Sequence, residues 1–164
     1  MSIVPSDAGS REAMTGAELA LRLLAAFRGL VDELHDRLAA EGHPAARPIH
    51  GFALQAIGPQ CATAAELGVR LGVSKQAAGK TIDGLEARGY VTRSADRVDA
   101  RRKLIAITPT GRDLLARSAA IFERLRSDRV ALLGEEQMAE VEAALRVLAP
   151  AASFPLDAAG WFGG

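Results

Sequence analysis

The run Leu67-Gly68-Val69-Arg70-Leu71-Gly72-Val73-Ser74-Lys75-Gln76-Ala77-Ala78-Gly79-Lys80 constrains this chain more than any other segment. It is preceded by Thr63-Ala64-Ala65-Glu66, a capping box in which a threonine and a glutamate three residues on satisfy each other's backbone donors. That box opens a short helix carrying Leu67 and Leu71. Gly72 supplies a tight turn, and Ser74 is a good N-cap for a second helix, which runs to about Arg88 before Gly89. Leu67, Leu71, Val73 and Ile82 pin the two helices together, and Ala78, Ile82 and Leu85 share one face of the second. Ser74, Lys75, Gln76 and Lys80 therefore face outward. This is the pattern of a helix-turn-helix whose second helix carries donors toward base edges and phosphates. Gln76 suits bidentate bonding to adenine, and a lysine suits guanine or phosphate. Gly79 would let the helix approach a DNA backbone closely.

The hydrophobic period then changes. Tyr90-Val91-Thr92-Arg93 and Lys103-Leu104-Ile105-Ala106-Ile107 read as two short strands around a charged loop, hence a β-hairpin. Its tip is Asp96-Arg97-Val98-Asp99-Ala100-Arg101-Arg102. A long basic side chain on a thin hairpin can enter a minor groove, and a nearby carboxylate can orient its guanidinium. The bland alternative, a salt-bridged surface turn, does not explain why the hairpin directly follows a helix-turn-helix. The order of helices, turn and hairpin is that of a winged helix-turn-helix.

Long helices flank this unit. Thr15-Gly16-Ala17-Glu18 is a further capping box, followed by Leu19, Leu23, Phe27, Leu30, Leu34 and Leu38 at helical steps, with Ala20, Leu24 and Val31 widening the stripe. So long and broad an apolar face needs more partners than a small domain supplies, and a second subunit is a natural one. His43-Pro44 and Arg47-Pro48 break the chain before a short helix at about Ile49–Ile57. Thr108-Pro109 caps and starts another helix, with Leu114, Leu115, Ile121, Phe122, Leu125 and Leu132 on its apolar side. After Gly134, Met138, Val141, Leu145 and Leu148 mark a last helix. With 49% hydrophobic but only 4% aromatic residues, the core is built mainly from helix-forming Ala and Leu. The expected fold is mainly α with a small β-hairpin wing, a winged helix-turn-helix plus a helical dimerisation region. Its parts are an N-terminal arm (1–14), a dimerisation helix (15–42), a winged helix-turn-helix DNA-binding domain (45–108, with its recognition helix at about 74–88 and its wing at about 91–107), C-terminal dimerisation helices (109–149) and a tail (150–164).

The chain of 164 residues is neutral overall, with 20 basic and 20 acidic residues. Between Arg70 and Lys103, however, nine basic residues face four acidic ones, a local excess of +5. A basic middle in a neutral chain is the asymmetry expected of a localised polyanion-binding surface. Cys61 is the single cysteine, which excludes an intramolecular disulfide and a cysteine-cluster zinc site. There is no apolar run of membrane-spanning length and no hydrophobic signal core in Met1–Arg11, so a cytoplasmic location with no membrane partner is expected. No phosphate-binding glycine loop, serine nucleophile elbow or metal-ligand cluster is visible, which argues against an enzyme and against a cofactor or metal.

The stretch from Glu66 to Gly111 resembles the MarR family. The resemblance is carried by Gly72-Val73-Ser74, Leu85-Glu86-Ala87-Arg88-Gly89-Tyr90-Val91, Asp99-Ala100-Arg101 and Leu104-Ile105-Ala106-Ile107-Thr108-Pro109-Thr110-Gly111. It implies a bacterial transcription regulator, a repressor in many members, that binds double-stranded operator DNA as a homodimer with intertwined terminal helices. By position, Arg101 is the wing arginine, Asp99 its orienting partner and Arg97 a further phosphate contact. The resemblance also implies a small phenolic or other aromatic ligand between the dimerisation helices and the winged domain. His43, His50 and Phe52 are the candidates near that cleft, although the histidines read more readily as capping or surface residues and Phe52 equally as core. Oxidant sensors of the family carry a cysteine near the start of the first long helix. Here Cys61 precedes the helix-turn-helix instead and reads more readily as a small buried residue. The rival readings are a winged-helix interaction module without specific DNA binding and an oxidant sensor acting through Cys61.

Overall fold

The computed structural model describes residues 13–99 and 101–149. The chain order is α1 (Gly16–Ala40), α2 (Pro48–Ile57), α3 (Ala64–Leu71), α4 (Lys75–Ala87), β1 (Val91–Ala95), β2 (Lys103–Ile107), α5 (Pro109–Leu133) and α6 (Glu135–Leu148). Most of the proposed arm, all of the tail and Ala100 lie outside the described residues.

Local chemistry sets the helix ends. The Thr15 hydroxyl accepts from Glu18 N at 3.1 Å, but Glu18 does not complete the expected box. Its carboxylate instead accepts two bonds from Arg22, at 2.8 and 2.7 Å, because a charged guanidinium one turn on is a stronger partner than one backbone N–H. At Thr63 the box is reciprocal: Glu66 N donates to the hydroxyl at 3.2 Å and Thr63 N to the Glu66 carboxylate at 2.7 Å. Gly72 takes a left-handed conformation (φ 68°, ψ 26°), which lets Val73 N reach back to Gly68 O at 2.9 Å and closes the turn between α3 and α4. Ser74 then caps α4 by accepting from Ala77 N at 3.1 Å.

Leu67, Leu71, Ala78, Ile82 and Leu85 are buried where α3 and α4 meet, and join Leu54 and Ile57 of α2 and Ile105 of β2 in one core. The hairpin is antiparallel, with Val91 opposite Ile107 and Arg93 opposite Ile105. A backbone pair between Ala62 and Ile105 adds a one-residue third strand that the sequence pattern does not announce. That pairing turns Ala62 fully inward and, since side chains alternate along extended backbone, turns Cys61 outward. Cys61 is thus exposed, which corrects the expectation of a buried residue.

The long helices α1 and α5 run in opposite directions, burying Val31, Leu34, Leu38, Leu114, Ile121 and Leu125. Along their edge lie ion pairs: Glu33 with Arg129, Arg37 with Asp128 (2.7 Å) and Glu41 with Arg124 (2.5 Å). Towards the far end the apolar stripes are uncovered. Leu19, Leu21 and Leu23 of α1 and Leu132 of α5 are exposed, and α6 buries nothing despite Val141, Leu145 and Leu148.

The winged unit joins α5 at one tight contact. A Cβ at Gly111 would lie 2.2 Å from the Tyr90 carbonyl oxygen and 2.8 Å from Ile107 Cγ2. Gly111→Ala should therefore cost about 3 kcal/mol. The check is a urea denaturation midpoint, and a loss below about 0.5 kcal/mol would show that this joint is not tight.

Candidate nucleic-acid interface

Ser74, Lys75, Gln76 and Lys80 are all exposed on the first two turns of α4. The Ser74 hydroxyl is occupied as the cap, so what it presents outward is the N-terminus of the helix, where the backbone N–H groups and dipole favour an anion. A Cβ at Gly79 would meet nothing within 4 Å, so no packing in this chain requires glycine there.

The hairpin tip is closed by backbone bonds from Asp96 N to Arg102 O (3.0 Å) and from Arg102 N to Asp99 O (2.9 Å). The two aspartates act on the backbone as well. Asp96 accepts from Val98 N at 2.9 Å, and Asp99 accepts from Arg101 N at 3.0 Å. Asp99 thus holds the main chain of Arg101, whereas the sequence reading gave it the guanidinium. A short aspartate reaches a backbone N–H two residues on more readily than the end of a long neighbouring side chain. Arg97, Val98 and Arg101 are exposed at the tip.

The nine basic residues between Arg70 and Lys103 divide into two groups. Arg70 donates to Ala56 O (2.7 Å) and Ile57 O (3.3 Å), tying α3 to the end of α2. Arg88 donates to Ala45 O (3.1 Å) and Gly84 O (2.8 Å). Arg93 binds Asp83 (2.5 Å) and Glu86 (2.6 Å), and Arg102 lies 3.4 Å from Glu66 and 3.8 Å from Asp96. Among the described residues, Lys75, Lys80, Arg97, Arg101 and Lys103 have no such partner. The positive excess is therefore left at the start of α4 and on the wing, while the acidic residues of the same segment are taken up inside it.

A second site lies where the long helices meet the winged unit. A half-open cavity of about 220 Å³ is lined by α1, α2 and α5. Its walls are mainly apolar, with Phe27, Leu34, Phe52 and Phe122 among them, and its polar side chains are His35, Arg47, Gln55 and Ser118, the last donating to Leu114 O. Of the three residues expected near a ligand cleft, Phe52 lines this cavity, and His43 and His50 are absent from its lining. His35, which the sequence reading passed over, takes part instead. It sits one helical turn from both Val31 and Leu38, so the spacing of the α1 stripe was the available signal. Its Nδ1 lies 2.7 Å from Val31 O, which places the proton of a neutral ring on Nδ1 and leaves Nε2 an acceptor.

His43 and His50 are buried rather than superficial. His43 bridges the Tyr90 hydroxyl (3.2 Å) and the Asp113 carboxylate (3.0 Å). Asp113 also receives Arg117, and the two hydrogen bonds hold its carboxyl below the usual aspartate range. His50 Nδ1 accepts from Arg47 N at 3.2 Å and so caps α2. Burial, then the charges of Arg88, Arg47 and His35, push His50 down to about 4. Among the described residues no group of three His, Cys, Asp or Glu side chains comes together as a metal site, and no helix is long and apolar enough to cross a membrane.

Because folded His50 resists a proton that the unfolded chain accepts near pH 6.5, its contribution to stability is complete above that pH. That contribution falls as the pH drops from 6.5 towards 4. The loss should reach about 3 kcal/mol at 1.4 kcal/mol per pKa unit. His50→Gln should flatten this part of the stability profile, and identical acid profiles for the two proteins would refute the assignment.

The MarR family model matches residues 52–102 of the chain. No curated protein matches it by sequence. Among solved structures, the fold is similar to that of the YusO protein of Bacillus subtilis (TM-score 0.66, 22% identity, 83% of this chain and 95% of that one). It is also similar to the transcriptional regulator Tm0710 of Thermotoga maritima (TM-score 0.57, 27% identity, 82% and 92%). A third similar structure is Streptococcus pneumoniae FabT, solved in complex with DNA (TM-score 0.68, 17% identity, 82% and 94%).

Proposed function

With residues 52–102 being those of the MarR family as premise, we propose that this chain regulates transcription by binding operator DNA as a homodimer, and that a small apolar or aromatic molecule modulates the binding. The family is one of DNA-binding regulators and not of enzymes. The observation that carries the proposal is the division of the basic residues: Lys75, Gln76 and Lys80 on the first turns of α4, and Arg97 and Arg101 on the wing, are exposed and without a partner among the described residues, while the other arginines hold the unit together. The helix start suits a major groove, where Gln76 can bond to adenine and a lysine to guanine or phosphate. The wing tip suits the adjacent minor groove, whose negative potential attracts arginine.

Two copies of the chain are part of this reading because the uncovered leucines of α1, α5 and α6 form a surface that water disfavours and a second copy can cover. Two recognition helices would then meet half-sites about 34 Å apart, on a pseudo-palindromic operator. The cavity between α1, α2 and α5 is the place for the modulating ligand. A ligand binds there with effect only if it prefers one spacing of the two winged units over another.

The deciding experiment is an anisotropy titration against the DNA flanking the protein's own gene, at several salt concentrations. Saturable, sequence-selective binding by a dimer with a steep salt slope is expected. Arg101→Ala should weaken it about tenfold and relax preference under the wing. Equal affinity for random DNA, or none at low salt, would instead favour an interaction module. For the ligand, salicylate serves as the probe. Gly51 lines the cavity and a Cβ there meets nothing within 4 Å, so Gly51→Phe is the variant chosen to fill it. Salicylate should weaken DNA binding of the wild type and leave Gly51→Phe unaffected; no response in the wild type removes this ligand class.

A further inference from the structure

We propose that Arg93 is a positioning residue for DNA recognition: it sets the wing, and so Arg101, at a fixed attitude to the recognition helix without touching DNA itself. The inference rests on the DNA-binding reading above. A two-stranded hairpin is marginal on its own, and this one projects its tip well beyond its last contact with the core. From Arg93 to Asp96, where the loop begins, the chain runs about 10 Å at about 3.3 Å per residue. A rotation of about 10° at the base would carry the loop about 2 Å, enough to break a hydrogen bond. Whatever fixes the base therefore decides whether the tip arginines reach their targets.

Arg93 is built for that task. It lies on the same face of β1 as the buried Val91, turned towards α4. Asp83 and Glu86, three residues apart on one face of α4, each take one of its terminal nitrogens, at 2.5 and 2.6 Å. The planar guanidinium thus spans two carboxylates from the helix that carries Lys75, Gln76 and Lys80, which a lysine cannot do in the same way. Arg93 pairs in register with Ile105, the residue whose backbone also binds Ala62, so the clamp acts on the most firmly held rung of the hairpin. The other tie from wing to helix, Arg102 to Glu66, is longer at 3.4 Å and shares a carboxylate already engaged by Thr63 N.

The test is a double-mutant cycle with the full chain and a labelled operator duplex. The wild type is titrated first; without selective binding, the DNA reading falls and this role with it. Given selective binding, Arg93→Ala and Arg101→Ala should each weaken it about tenfold, and the double variant should be at most about threefold weaker than the weaker single. Near-independent losses, multiplying to about a hundredfold, would mean that Arg93 does not act through Arg101. Arg93→Ala should leave the salt slope unchanged, and a drop of about one would make it a phosphate contact instead. Arg93→Lys keeps the charge and loses the fork, so it should weaken binding too, and it carries the same cycle if Arg93→Ala does not fold. Wild-type affinity in Arg93→Lys overturns the proposal.

Discussion

Tyr90 stands where α4 ends, β1 begins and the long helices pass. Its ring lies between His43 and His50, with centroids 5.7 and 6.1 Å away. Its hydroxyl meets His43, its amide closes the end of α4 on Leu85 O (2.9 Å), and its carbonyl accepts from Thr108 N (3.0 Å) and abuts Gly111. Each contact belongs to a different element. The attitude of α4, the direction of β1 and the start of α5 are therefore not separately adjustable. Burial raises the Tyr90 hydroxyl above its ordinary value and keeps it a neutral donor to the His43 ring. His43 passes that bond on to Asp113, and Arg117 joins Asp113 to Glu41 (3.3 Å) at the end of α1. A continuous polar chain thus runs from the wing's first residue to the long helices, with no buried side-chain nitrogen or oxygen left unbonded among the described residues.

The neutrality of the chain has a similar origin. Among the described residues, Glu33, Glu41, Asp83, Glu86, Asp113 and Asp128 are taken up by arginines that tie one element to another or brace a helix. Exposed pairs of this kind contribute little each, so their value lies less in stability than in geometry. The consequence is electrostatic. Asp83, Glu86 and Asp96 are offset by Arg93 and Arg102, so Lys75, Lys80, Arg97 and Arg101 keep a net positive face on a neutral protein.

What could be read from the sequence was what residues a few positions apart decide. The caps at Thr15, Thr63, Ser74 and Thr108, the Gly72 turn, the hairpin and the outward set Ser74, Lys75, Gln76 and Lys80 follow from spacing and turn chemistry. What could not be read depends on residues far apart in the chain. The Ala62–Ile105 pair, which turns Cys61 outward, brings together segments about forty residues apart. The division of arginines depends on which carboxylate each one meets in space. His43 and His50 look like capping or surface histidines until Tyr90 arrives beside both and Asp113 beside His43 from other elements. The α1 stripe is an intermediate case. Its excess over what one domain can bury is visible in the sequence, but the turn of α1 that faces the cavity is fixed only by α2 and α5.

That cavity bears on the winged unit through one short helix. The face of α2 with Gly51, Phe52 and Gln55 lines the cavity, and the face with His50, Ala53, Leu54 and Ile57 is buried in the winged core. A close-packed core does not deform gradually, so material that widens the cavity must move α2 as a body or leave it in place. If α2 moves, the Arg47–His50 cap, the Arg88 bond to Ala45 and the Arg70 bonds to Ala56 and Ile57 move with it. Those bonds reach α3 through Arg70 and the C-terminal end of α4 through Arg88. The helix that would feel a ligand is thus the one to which α3 and α4 are tied, and on the DNA-binding reading proposed above strain at the cavity would change the angle of the whole winged unit before any single contact.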